Sequence, residues 1–90
     1  MLTGLKHWLR HRREIRQRWQ ADARRLVQFE GAGAYYQAQR RAARARARGD
    51  GGEFLHWAKV AAEVARISPD AEMDIAVVEG IVQRELNGPT

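Results

Sequence analysis

Cysteine is absent from the 90 residues, serine occurs once, at Ser68, and proline only twice. Without a thiol there are no disulfide staples and no thiolate metal sites. No apolar run approaches the roughly 20 residues that a bilayer-crossing helix needs, and the start lacks the continuous apolar stretch of a secretory signal. The beginning is Arg-rich and acid-poor, as in organellar transit peptides. Residues 1–30 hold no serine, however, and the pattern runs on into the next segment, so it reads as part of the mature chain and the protein as cytoplasmic. β-branched residues alternating with polar ones are also missing, which argues against strands.

Nucleophiles are equally scarce. Ser68 precedes Pro69, where a helix cap explains it, and Thr3 and Thr90 lie near the two ends. Nucleophilic catalysis needs a base and an orienting carboxylate around one exposed nucleophile. The pattern offers no such group, so no enzymatic activity, small-molecule substrate or cofactor is expected.

Arginine is plentiful. Fourteen of the sixteen basic residues are Arg, and the net charge is +5. Residues 1–48 carry thirteen Lys/Arg against three Asp/Glu, a net +10; residues 49–90 carry three against eight, a net −5. Such asymmetry points to an anionic partner for the first half or to an electrostatic match between halves. A GC-rich genome also favours Arg over Lys. The stretch Ala34–Arg66, with Tyr35-Tyr36, its Ala/Arg tract, Gly49-Asp50 and Trp57, is similar in composition to small Arg/Ala-rich bacterial proteins. That similarity implies no function.

Glycine punctuates the chain at Gly31-Ala32-Gly33 and Gly49-Asp50-Gly51-Gly52, Ser68-Pro69 makes a third break, and Gly88-Pro89 a stop. Between the breaks the period is helical throughout. Helix 1, from about Thr3 to Phe29, places Leu5, Trp8, Ile15, Trp19, Ala23 and Leu26 on one face, with Arg12 in its middle. Arg12 and Asp22 interrupt the heptad columns, so an ordinary packed helix is expected rather than a coiled coil. Helix 2, from about Ala34 to Arg48, has a narrow face of Tyr35, Ala38, Ala42 and Ala45. A separate sector holds Gln37, Arg40, Arg41, Arg44 and Arg48. Helix 3, from about Gly52 to Ile67, carries Phe54, Trp57, Ala58, Ala61, Val64 and Ala65, and the short turn before it predicts an antiparallel hairpin with helix 2.

Ser68-Pro69-Asp70-Ala71-Glu72 reads as the start of helix 4: a capping serine, proline at the first position and acids at the positive end of the dipole. Its stripe is Ile75, Val78, Val82 and Leu86, bordered by Met73, Val77 and Ile81. The expectation is a single all-α domain over residues 1–90: a small bundle of three to four helices with a long basic N-terminal helix. The few large apolar residues, among them Trp8, Trp19, Phe29, Phe54 and Trp57, are expected to supply the core.

Patterns suggestive of chemistry have plainer explanations. His7 and His11 are four apart on one helix face, but HExxH is absent and the neighbouring arginines repel a cation, so no metal is expected. His56 is expected to bond Glu53 within its own helix. Asp70, Glu72 and Asp74 alternate like a calcium loop, yet Ile75 and Ile81 stand where that loop requires glycine and glutamate. Gly49–Gly52 lacks the Lys and Ser/Thr of a phosphate loop and reads as a turn.

The arginine groups remain. Arg10, Arg13, Arg16, Arg40, Arg41, Arg44 and Arg48 are the expected contacts to DNA, RNA or another polyanion. No zinc finger, RNP or KH motif, nor helix-turn-helix spacing, supports sequence specificity. The alternative is a homodimer or other protein partner bound through helix 1, with Trp8, Arg12 and Trp19 at the interface and Trp8 projecting past the short hairpin. A third reading lays the amphipathic helix 1 on an anionic membrane.

Overall fold

The computed structural model describes residues 2–88, with side chains from Gly4 onward; Met1, Pro89 and Thr90 lie outside the described residues. It shows the expected all-helical architecture. Helix α1 spans Leu2–Glu30, a 3₁₀ turn covers Gly31–Gly33, α2 spans Ala34–Ala47, α3 Gly51–Ile67 and α4 Ile75–Asn87.

The sequence breaks set these boundaries. At the end of α2 the chain enters the left-handed region at Gly49, φ +74°. There the Gly49 amide donates to Arg46 O and the Asp50 amide to Ala45 O, the pairing that satisfies the last carbonyls of a helix. Asp50 then starts α3: its carboxylate accepts from the Glu53 amide at 3.0 Å, as an N-cap residue does. One residue closes one helix and opens the next, so α2 and α3 fold back as an antiparallel pair.

The start of the fourth helix differs from the sequence expectation. Ser68 is extended (φ −119°, ψ 104°), buried, and forms the C-cap of α3. Residues 68–74 cross the end of the bundle instead of coiling. The Glu72 amide donates to Ala32 O at 2.9 Å and the Asp74 amide to the Tyr36 hydroxyl at 2.8 Å. These ties to the α1–α2 turn satisfy backbone donors that a helix would otherwise leave open at its start. Asp74, whose carboxylate accepts from Ala76 N at 2.9 Å, caps α4 in place of Ser68.

The helices therefore run up, down, up and down. Helix α2 lies between α3 and α4, α1 packs chiefly on α3, and among the described residues α1 and α4 do not touch.

The core also departs from expectation. Its buried members are Ala23, Leu26, Ala34, Ala38, Val60, Ala61, Val64 and Ala71, with Trp19 and Trp57 only partly buried against them. The largest fully buried side chains are Val60 and Val64, whereas Phe29 is 75% exposed and Phe54 also lies at the surface. Helix α2 explains this. Ala38, Ala42 and Ala45 are buried on one side of it, and Ala43, about 140° round the axis from Ala38, is buried too. With methyl groups on its inner surfaces, α2 lets its neighbours approach closely and leaves no room for rings. In α3, Val60 replaces Phe54 and Ala65 on the buried side, and in α4 Ile81 is the one buried residue while Ile75 and Leu86 are exposed.

Candidate interaction arm

Helix α1 has 29 residues, against 14 in α2 and 17 in α3. Nothing in residues 5–30 breaks it, since they hold neither proline nor glycine. Its C-terminal half is fastened to the body. Ala23 and Leu26 are buried, Trp19 is partly covered with Lys59 5.6 Å from its ring, and the Asp22 carboxylate meets His56 Nε2 of α3 at 2.7 Å. Ile15, Arg18 and Trp19 then line an open cleft of about 480 Å³ opposite Gly52, Leu55 and His56, at the level of the α2–α3 turn. N-terminal to Ile15 no other helix lies alongside, and every residue from Gly4 to Arg18 is exposed. At about 1.5 Å per residue, residues 4–15 form an arm of roughly 18 Å. It contributes to the 51 Å long axis of the molecule.

The arm has two chemically distinct sides. The side that is buried further along the helix continues as Leu5 (53% exposed), Trp8 (51%), Leu9 (48%) and Ile15 (38%). Arg12 and Arg16 lie in this stripe; the Arg12 guanidinium stacks 4.9 Å from the centre of the Trp8 ring. At 100° per residue, Lys6, Arg10 and Arg13 fall on a flank roughly 130° away, and Arg24 continues it. Among the described residues no carboxylate comes within ion-pair distance of any of the six cations from Lys6 to Arg18. The acidic segment Asp70–Asp74 is tied to the α1–α2 turn at the opposite end of α1, so that segment does not neutralise the arm.

The two arginine groups fare differently. Arg10 and Arg13 on the arm, and Arg16 just past it, are exposed and have no ion-pair partner among the described residues. On α2, Arg41 lies over the Trp57 ring at 4.6 Å, Arg44 bonds Glu85 of α4 at 3.2 Å, and Arg40 is half-buried; Arg48, at the C-cap, is exposed without such a contact among the described residues, as is Arg46 outside this group. The α2 sector thus holds α3 on one side and α4 on the other. Of the expected interface residues, Trp8 and Arg12 project on the arm, whereas Trp19 belongs to the junction with the body. His56 bonds Asp22 rather than Glu53, whose carboxylate instead accepts from Trp57 Nε1 at 3.0 Å. Leu9 and Leu55, both exposed, were not singled out by the sequence. Leu9 could have been, because it lies one turn from Leu5 on the same stripe.

The class defined here is a small all-α bundle bearing a projecting cationic, amphipathic helix. No protein family, curated protein or solved structure matches the chain. Among the described residues no helix is long and apolar enough to cross a membrane.

Proposed function

We propose that this is a non-enzymatic binding protein whose arm engages a polyanion, DNA or RNA, through the phosphate backbone. The observation that carries the reading is the free cationic flank of α1. Six exposed basic residues from Lys6 to Arg18 are opposed along the helix by one acid, Glu14, and none of the six has an ion-pair partner among the described residues. Phosphate attracts such a surface without base contacts, because each neutralised phosphate releases condensed counterions. Arginine adds forked hydrogen bonds to phosphate oxygens. Arg10, Arg13 and Arg16 are the principal contacts. Arg48, exposed at the C-cap of α2, can add to them, while Arg41 and Arg44, though exposed, are engaged by Trp57 and Glu85.

Fluorescence anisotropy of labelled duplexes and single strands across a salt series tests this. The affinity should fall steeply with salt. Replacing Lys6, Arg10 and Arg13 together by Gln should flatten the log–log slope by about 2–3, since each phosphate contact contributes about 0.9 on duplex DNA. No binding at low salt, or an unchanged slope in the triple variant, would refute the assignment.

A further inference from the structure

The apolar side of the arm requires a cover, and the chain carries a surface that fits it. On α4, Ile75, Glu79, Val82 and Leu86 follow one another at helical spacing along one stripe. Ile75 is 74% exposed and Leu86 39%; Glu79 is exposed and Val82 half-buried. This stripe is apolar with a single acid inside it. The arm stripe of Leu5, Trp8, Leu9, Arg12 and Ile15 is apolar with Arg12 inside it. In both, the central charge and a leucine are seven positions apart, Leu5 to Arg12 and Glu79 to Leu86.

The two stripes cannot meet within one chain, because α1 and α4 make no contact and the arm projects away from the body. We infer that the arm of one copy docks antiparallel on α4 of a second copy. Arg12 then faces Glu79, Leu5 faces Leu86, and Arg16 approaches Asp74 at the N-terminal end of α4. Arm-to-arm pairing is disfavoured, since it brings Arg12 and Arg16 of both copies into one seam. One helix pair of this length is small against the roughly 1,200–2,000 Å² of stable interfaces. A two-fold arrangement, in which each copy gives its arm and receives the other's, makes the contact twice. The docking uses the stripe, Arg16 included, and leaves the Lys6–Arg10–Arg13 flank open, so polyanion binding through that flank and the docking can be tested separately.

Sedimentation velocity of the full chain over a concentration series, without nucleic acid, tests the docking. The wild type should dimerise. Arg12→Glu and Glu79→Arg should each weaken the dimer about tenfold, by replacing a facing charge pair with like charges, and the double variant should recover it. Leu9→Gln should loosen the dimer without a change of charge, and circular dichroism should show undiminished helix in every variant. Arg10→Gln with Arg13→Gln should leave the dimer intact while weakening nucleic-acid binding. A wild type that stays monomeric at roughly 100 μM, in the weak-affinity range, overturns the proposal. So does failure of the double variant to recover. A gain in dimerisation by Arg12→Glu alone would show arm-to-arm pairing instead. A monomer whose arm binds vesicles of anionic lipid would show that lipid is the cover.

Discussion

Val64→Ala should destabilise the protein far more than Phe29→Ala, although a side-chain volume scale would rank them the other way. Val64 has no solvent exposure and is one of the two largest fully buried side chains, whereas Phe29 is 75% exposed. Truncating Val64 removes two buried methyl groups at about 0.8 kcal/mol each. Packing around the vacancy involves helix backbones held close by alanines, which relax little, so a cavity contribution adds to the loss and brings it to about 2 kcal/mol. Against a total stability of roughly 5–13 kcal/mol for a chain of this length, that is a substantial fraction. At about 4–8 °C per kcal/mol for a domain of this size, the midpoint should fall by roughly 8–16 °C. Phe29→Ala, mostly on the surface, should cost under about 0.5 kcal/mol. Urea unfolding followed by circular dichroism gives both values as midpoint shifts at a common slope. If Phe29→Ala proved the costlier of the two, the alanine-and-valine core described above would be wrong.

Two further substitutions probe the joints. Asp50→Ala should cost about 1 kcal/mol, because it removes the side-chain cap of α3 while the backbone closure of α2 remains; Asp50→Asn should restore most of the loss. Asp22→Ala should cost about 1–2 kcal/mol in the same urea assay, since it deprives half-buried His56 of its partner across the α1–α3 contact. A double variant with His56→Ala should then cost less than the sum of the two single changes.

The existence and order of the helices were legible because glycine clusters stop them and the apolar period is helical between the stops. The length of α1 relative to its neighbours also made a projecting Trp8 foreseeable. Three features were not. Ser68-Pro69-Asp70 has the local signature of a helix start, but it forms the end of α3 and a turn, and the Glu72 and Asp74 amides that follow bond Ala32 and Tyr36, more than thirty positions away in sequence. The pairing of His56 with Asp22 spans 34 positions, while the Glu53 favoured by local spacing serves Trp57. The arginine sector of α2 looked open because sequence does not show which neighbour lies beside each residue. Arg41 and Arg44 are engaged by Trp57 and Glu85, and the densest run of cations without an ion-pair partner among the described residues is on the N-terminal part of α1.

The attachment of α4 has its own consequence. It touches only α2 among the helices and buries one large side chain, Ile81; its other fastenings are the Arg44–Glu85 bond and the tied segment before it. A helix held along one edge can detach as a unit while the rest of the bundle persists. Its amides should therefore exchange with solvent deuterium as a group, ahead of those in α2 and α3. Each such opening bares Ala43 and frees the Arg44 guanidinium, giving the folded chain a second, transient cationic surface.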